Sequence, residues 1–210
     1  SNGAPLRTDD HGGTAGAATS LGSAAFDVSG IIERASDVDM FSFTRSGTGS
    51  FSAYAYAAAL GPNLDIRLRL FDANGNQLAQ SEPALVRQGE DMASGLSASV
   101  TATLTAGTYT LSVEGVGFAT ANTGYTDYGS LGHYRLTTTA PHVEVSIAGT
   151  TRGTITSTPA GINCPGTCTA SFAMGTKVTL TANSELGTSF VGWTGRSEEH
   201  TSELQSLAYL

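Results

Sequence analysis

Paired carboxylates are the residues of this sequence whose type and spacing best suit a chemical role. Asp37 and Asp39 lie two residues apart at the start of an alternating stretch, and Asp9 and Asp10 form a second acidic pair near the N-terminus. Carboxylate oxygens are hard ligands of the kind that Ca²⁺ binds, in sets of about six to eight oxygens. The alternative is that these side chains accept hydrogen bonds from backbone amides in a turn. Calcium is the cofactor that this pattern indicates, and both interpretations stay open.

No arrangement of residues typical of an enzyme occurs in the sequence. There is no His-Glu-x-x-His zinc motif and no Gly-x-Ser-x-Gly elbow. The four histidines are scattered at positions 11, 133, 142 and 200. The sequence therefore predicts a binding or accessory function with no catalytic residues.

Tyrosines form a second group of candidate functional residues. Tyr54 and Tyr56 share one face of an alternating stretch, and Tyr125 and Tyr128 lie in a later Gly- and Tyr-containing loop. Aromatic side chains on a sheet can bind a protein or a glycan. The alternative is that these rings cover the sheet or lie in its core. The partners that this pattern suggests are an extracellular protein or a polysaccharide.

The two cysteines are close together, at Cys164 and Cys168, on either side of a Pro-Gly dipeptide. A structural zinc site needs four ligands, and no second pair of cysteines is present. A local disulfide is the better interpretation, and it indicates an oxidising compartment such as the extracellular space or the cell surface.

The composition of the chain argues against nucleic acid as a partner and against a membrane span, and it favours a β-sandwich. The formal charge of the 210 residues is −8, which argues against nucleic acid because phosphate binding requires clustered Lys and Arg. No apolar run is long enough for a membrane span. Only 13% of the residues are charged and 26 are glycine, as in extracellular β-sandwiches with short strands and frequent turns.

The stretch 63–80 gives the clearest structural prediction. Ile66, Leu68 and Leu70 alternate with two arginines, and residues 72–76 (Asp-Ala-Asn-Gly-Asn) supply a tight turn before a return strand. The alternating segments 100–104 and 109–113, with Ala-Gly between them, predict a second hairpin.

About eight short strands without helical periodicity indicate an all-β fold. We expect a jelly-roll-like β-sandwich over residues 14–141 and a second, small β domain over 142–195. Residues 1–13 read as a linker from an upstream domain.

The first unit resembles the bacterial pre-peptidase C-terminal domain. Five matching segments occur in the order expected for that family: 37–43 (Asp-Val-Asp-Met-Phe-Ser-Phe), 62–66 (Pro-Asn-Leu-Asp-Ile), 70–75 (Leu-Phe-Asp-Ala-Asn-Gly), 104–115 (Leu-Thr-Ala-Gly-Thr-Tyr-Thr-Leu-Ser-Val-Glu-Gly) and 125–134 (Tyr-Thr-Asp-Tyr-Gly-Ser-Leu-Gly-His-Tyr). The resemblance implies a secreted β-sandwich that follows a peptidase domain in the same chain. Related collagen-binding domains bind calcium through an acidic N-terminal segment. Residues 6–12 look like the segment that follows reprolysin-like zinc metallopeptidase domains.

Residues 143–195 resemble a bacterial cell-surface β-repeat of the divergent internalin-B type. The carrying segments are 153–155 (Gly-Thr-Ile), 159–164 (Pro-Ala-Gly-Ile-Asn-Cys), Cys168, 175–182 (Gly-Thr-Lys-Val-Thr-Leu-Thr-Ala) and 190–195 (Phe-Val-Gly-Trp-Thr-Gly). Members of that family place a further cysteine just after the last segment, where this sequence has Arg196. The resemblance therefore implies that the native domain continues differently and that a third cysteine could compete for the disulfide.

Residues 196–210 differ abruptly in composition from the rest of the chain. The run 196–206 (Arg-Ser-Glu-Glu-His-Thr-Ser-Glu-Leu-Gln-Ser) resembles, residue for residue, the translation of a common sequencing adaptor. We expect 196–210 to be adaptor-derived. If it is structured, leucines at 204, 207 and 210 have the spacing of a short helix without packing partners.

Together these observations predict a non-catalytic accessory region of a secreted bacterial peptidase, most simply a zinc metallopeptidase. Its role would be to aid secretion, solubility or substrate targeting. Two alternatives from other classes remain: a cell-surface adhesion or structural module, and a carbohydrate-binding sandwich.

Reading the source DNA on both sides of the coding region tests this prediction. We expect a His-Glu-x-x-His motif upstream of Ser1 and a cysteine codon shortly after Gly195. Upstream sequence that encodes only β-repeats would favour adhesion. Native codons for residues 196–210 would contradict an adaptor origin.

Overall fold

β-strands make up nearly all of the secondary structure. The computed structural model describes residues 7–58, 61–83, 86–87, 93–117, 124, 126–138, 142–148, 153–172, 178–185, 187–194 and 205–209. Within these residues there are eighteen strands, two short 3₁₀ helices and no α-helix. The chain divides into two compact units, Ser1–Thr139 and Ala140–Leu210. The predicted all-β fold is confirmed.

The first unit is a sandwich of two sheets. Its elements are η1 (Ala15–Ala17), β1 (Thr19–Ser23), β2 (Asp27–Ile32), β3 (Val38–Arg45), β4 (Gly49–Ala57), β5 (Ile66–Asp72), β6 (Gln77–Ser81), the short ribbon of β7 (Val86–Arg87) and β8 (Ala93–Ser94), β9 (Ala98–Leu104), β10 (Gly107–Gly115), η2 (Asp127–Gly129) and β11 (Gly132–Thr137). The five-stranded sheet has the order β1-β3-β10-β5-β6, and the four-stranded sheet has the order β2-β11-β4-β9. β1 pairs with β3 in parallel, whereas the other neighbours in both sheets are antiparallel.

The core of the first unit lies between the two sheets. Each strand contributes alternate residues to it, as the period of two requires. Phe43 of β3 stacks on Phe51 of β4 with ring centroids 4.6 Å apart, so the aromatic contact joins one sheet to the other. Phe43 also stacks on Tyr109 of β10.

The predicted hairpin at 63–80 is confirmed as β5 and β6. Ile66, Leu68 and Leu70 are each 0% exposed, and the intervening arginines lie on the outer face of the sheet. There Arg67 donates two hydrogen bonds of 2.9 Å to the carboxylate of Glu114 on β10. The outer face of β5 thus carries paired charges, whereas its inner face is apolar.

The predicted second hairpin is wrong, because its two strands belong to different sheets. β9 pairs with β4, and β10 pairs with β3 and β5. The short connection between them turns a corner of the sandwich. The hydroxyl of Tyr109 fixes this corner by accepting a bond from the backbone N–H of Thr105 and donating one to its carbonyl, at 3.2 and 3.1 Å.

The second unit is a smaller β structure with its own core. The strands are β12 (His142–Ala148), β13 (Gly153–Thr158), β14 (Asn163–Cys164), β15 (Thr169–Ser171), β16 (Thr179–Ser184), β17 (Gly192–Thr194) and β18 (Gln205–Tyr209). They form sheets with the orders β15-β12-β18-β17 and β14-β13-β16. The core contains Val143, Val145, Ile155, Ile162 and Cys164.

Residues 205–209 form a strand, so the short helix expected there is wrong. β18 pairs in parallel with β12 and antiparallel with β17, which gives its backbone partners on both edges. A short isolated helix is marginal in water, whereas sheet pairing supplies these hydrogen bonds from neighbouring strands. The adaptor origin of 196–210 stays a prediction.

No helix among the described residues is both long and apolar enough to cross a membrane.

The β5–β6 hairpin supplies a matched pair of leucines for a stability test. Leu68 is 0% exposed and Leu78 is 45% exposed. We expect Leu68→Ala to lower the free energy of unfolding by about 2–5 kcal/mol, because it removes buried methyl groups and leaves a cavity. Leu78→Ala is the control and should change it by less than about 0.5 kcal/mol. Urea denaturation followed by fluorescence measures both, and equal effects would contradict the burial of β5.

Candidate metal centre

The described part of the predicted linker, residues 7–13, is called the lead-in here, and it packs against the sandwich. The ring of His11 lies 4.6 Å from the ring of Phe41, and its Nε2 donates to the carbonyl of Ser29 at 3.2 Å. Nδ1 then accepts from the hydroxyl of Thr19 at 2.9 Å. The carbonyl of Gly12 accepts from the N–H of Met40 at 3.1 Å. These contacts hold the acidic pair that precedes His11 beside the first residues of β3.

Five carboxylates meet where the lead-in contacts the sandwich. Asp9, Glu33 and Asp37 form one group, and Asp9, Asp10 and Asp39 form another. Within each group the candidate ligand oxygens all lie within 4.8 Å of one another. The structure thus brings together all four aspartates that the sequence singled out as calcium ligands.

Glu33 is the member of this cluster that the sequence analysis missed. It follows the last residue of β2 and lies four positions before Asp37. Only 11% of its side chain is exposed. The signal for Glu33 was its position directly after Ile31 and Ile32, two apolar residues that are buried.

Asp37 and Asp39 have different surroundings although both are buried. Asp37 Oδ2 accepts a hydrogen bond of 3.1 Å from the N–H of Glu33, which is the turn role considered from the sequence. Asp39 is 0% exposed, and its Oδ2 accepts a bond of 2.6 Å from the hydroxyl of Tyr134. Asp39 Oδ1 and both carboxylate oxygens of Glu33 are buried without a hydrogen-bond partner.

Tyr134 depends on a glycine in the neighbouring strand. A Cβ atom at Gly30 would lie 2.2 Å from the Tyr134 hydroxyl oxygen. Gly30 and Tyr134 are direct neighbours in the β2–β11 pairing. The absence of a side chain at Gly30 therefore leaves the space from which Tyr134 reaches Asp39.

Burial and mutual repulsion raise the proton affinity of two carboxylates. Burial raises the pKa of Asp39 to about 7; the hydrogen bond from Tyr134 opposes this rise, and the negative charges of Asp37, Asp10 and Asp9 add to it. Burial and the proximity of Asp37 likewise raise the pKa of Glu33 to about 7. Burial, followed by the charge of Asp39, raises the pKa of Tyr134, so Tyr134 remains a neutral donor.

Two arginines lie near the cluster but do not neutralise it. Arg7 is 3.7 Å from Glu33, and Arg34 is 3.7 Å from Asp9. Their side chains are 58% and 50% exposed, so solvent screens both ion pairs. The donor set consists of hard carboxylate oxygens, which fits Ca²⁺ better than the nitrogen- and sulfur-binding metals.

The four tyrosines proposed as a binding face are not equivalent. The rings of Tyr54 and Tyr56 stack with centroids 6.4 Å apart on β4, but Tyr56 is only 6% exposed and offers a ligand little surface. Tyr128 lies on η2 and is 80% exposed. Tyr125 lies outside the described residues.

The second unit contains the disulfide between Cys164 and Cys168, whose Cα atoms are 4.5 Å apart. The backbones of Asn163 and Thr167 exchange two hydrogen bonds of 2.8 Å across this loop. Trp193 is 39% exposed and packs edge-on against Phe190 with ring centroids 5.2 Å apart.

Among known proteins, similarity to this chain is found in solved structures. No protein-family model matches the sequence, and no curated protein matches it. Among solved structures, the chain is similar to the pre-peptidase C-terminal domain of a collagenase from Bacillus anthracis. The sequence identity is 13%, the TM-score is 0.39, and the match covers 62% of this chain and 96% of that domain.

The raised pKa values predict how stability depends on pH in the absence of metal. In the folded chain Asp39 titrates at about 7 instead of the ordinary 3.8, so between these values the folded state binds more protons than the unfolded state. The stability that protonation of Asp39 contributes is therefore fully present below about pH 4 and is lost as the pH rises from about 4 to about 7. The loss from Asp39 alone is at most about 4 kcal/mol.

Calorimetry of the full chain, in a buffer that contains a metal chelator, gives the free energy of unfolding of the wild type and of Asp39→Asn at each pH. The difference between the two proteins measures the contribution of Asp39. The subtraction removes opposing contributions from Asp27 and Asp72, whose pKa values are lowered by hydrogen bonds from Arg135 and Asn76, respectively. We expect the variant to lose less stability across this pH range. Parallel curves for the two proteins would contradict the assignment.

Proposed function

We propose that the first unit is a non-catalytic, calcium-binding accessory module of a secreted bacterial peptidase. The calcium ion would be held where the lead-in meets β3. Two independent lines support this proposal. One is the series of sequence segments that resemble the pre-peptidase C-terminal domain, and the other is the carboxylate cluster.

The observation that carries the calcium assignment is the buried oxygen Oδ1 of Asp39. It lacks a hydrogen-bond partner in a side chain that is 0% exposed and that lies in one group with the carboxylates of Asp9 and Asp10. An unpaired buried charge is costly and is normally neutralised by a proton, a counter-ion or a metal. A divalent cation neutralises several of these carboxylates together, and this chain offers no buried arginine or lysine for that role among the described residues near the cluster.

The position of the cluster suggests what calcium does for the chain. Asp9 and Asp10 belong to the lead-in, whereas Glu33, Asp37 and Asp39 belong to the sandwich. A cation shared by both sets would fix the entry of the chain to the sandwich. An accessory module held in this way would keep a defined orientation relative to a preceding peptidase domain, which suits a role in solubility, secretion or substrate targeting.

Calcium titration of the full chain tests the proposal. We expect heat of binding by calorimetry, with a Kd of about 10⁻³ M or lower, in the range of extracellular calcium modules or tighter. Calcium at 100 times Kd should raise the free energy of unfolding by about 2.7 kcal/mol. Asp39→Asn should weaken binding by about tenfold or more, since it removes the charge of a buried ligand.

Asp127→Asn is the matched control for this experiment. Asp127 lies exposed on η2, and the substitution changes the same functional group and the same unit of charge. Its affinity for calcium should equal that of the wild type. Absence of heat and of any thermal shift in the wild type would overturn the calcium assignment, as would equal losses in both variants.

A further inference from the structure

The turn between β5 and β6 contains a reactive dipeptide that the calcium proposal does not involve. Asn74 and Gly75 form the exposed tip of this turn, and Gly75 has a φ of +81°. We propose that Asn74 is a site of spontaneous deamidation whose rate is set by the hydrogen bonds that Asp72 accepts across the turn.

The chemistry needs only water and the chain itself. The backbone nitrogen of Gly75 loses its proton to solvent and attacks Cγ of Asn74. A nitrogen–carbon bond forms, the bond from Cγ to Nδ2 breaks, and ammonia leaves with a proton from solvent. Water then opens the resulting succinimide at either carbonyl, which gives aspartate or isoaspartate. Glycine at the second position favours the attack because it has no side chain to obstruct ring closure.

In the folded chain the attacking nitrogen is already engaged. The N–H of Gly75 donates to the carbonyl oxygen of Asp72 at 3.1 Å. The N–H groups of Asn74 and Asn76 both donate to Asp72 Oδ1 at 2.9 Å. Asn76 Nδ2 donates to Asp72 Oδ2, also at 2.9 Å.

These bonds oppose the reaction in two ways. They keep the proton on the Gly75 nitrogen, and they fix the backbone of Asn74 so that this nitrogen is not free to rotate toward Cγ. The donors from Asn76 lower the pKa of the Asp72 carboxyl, so the acceptor stays ionised at neutral pH. The folded turn therefore shields Asn74, and local opening of the turn exposes it.

Deamidation would change the structure of the hairpin. Isoaspartate adds one carbon atom to the main chain inside a turn that sets the register of Leu70 against Ala79. The hydrogen bonds that Asp72 accepts from residues 74–76 would no longer fit. Modification at Asn74 would thus loosen the hairpin whose first strand is buried in the core.

Peptide mapping by mass spectrometry tests the proposal on the full chain at mildly alkaline pH. The fraction deamidated at Asn74 is followed over time in native buffer and in denaturant. We expect the native rate to be lower by about tenfold or more, the effect of a modest rise in the barrier. A synthetic peptide of residues 70–79 in the same two buffers reports whether the denaturant alters the intrinsic reaction.

Two substitutions at position 72 assign the shielding to Asp72. Asp72→Ala removes the carboxylate acceptor and should raise the native rate by about tenfold. Asp72→Asn keeps one amide oxygen for the two backbone donors and should give an intermediate rate. Circular dichroism establishes that each variant is folded. The comparison of native with denatured wild type does not depend on the variants. Equal rates for the native and denatured wild type, or native rates unaffected by Asp72→Ala in a folded variant, would overturn the proposal.

Discussion

The hydrogen bond from Tyr134 to Asp39 is the interaction on which the arrangement of the candidate site depends. It is 2.6 Å long and buried, and it joins β11 of one sheet to β3 of the other. Asp39 occupies an inward position of β3, two residues before Phe41 in the alternation that fills the core. A carboxylate in that position loses its hydration, and the tyrosine compensates only one of its two oxygens. The fold therefore contains a buried group that needs a proton or a cation.

The lead-in increases this need, because it brings further negative charge to the same place. Contacts of His11 with Phe41 and with Ser29 hold Asp9 and Asp10 against the cluster. Without a cation, the packing of the lead-in and the repulsion among the carboxylates oppose each other, and the two exposed arginines nearby offset little of the repulsion. A bound cation would make the same contacts cooperative, since it would be shared by the lead-in and the sandwich.

Sequence reasoning located the parts of this arrangement but not all of their relations. The alternation of Ile66, Leu68 and Leu70 predicted β5 and its turn because a period of two and an Asn-Gly turn are local features. The pairing of β9 with β10 was predicted wrongly because the prediction used only local features of the sequence. Alternating strands on either side of an Ala-Gly turn look the same whether they pair or separate into two sheets, and long-range packing makes that choice. Glu33 and Tyr134 were missed as site residues because their approach to Asp39 or Asp37 is visible only after the strands have paired.

Two aspartates in the same sandwich show why residue type alone does not identify a metal site. Asp72 is partly exposed and accepts hydrogen bonds from Asn76 and Asn74, which lower its pKa and satisfy its charge. Asp39 is buried among carboxylates, which raises its pKa to about 7 and leaves one oxygen without a partner. An aspartate therefore stabilises a turn at position 72 and is a candidate metal ligand at position 39. The calcium proposal thus rests on the surroundings of Asp39, and Asp9 and Asp10 are part of them only while the lead-in stays packed against β3.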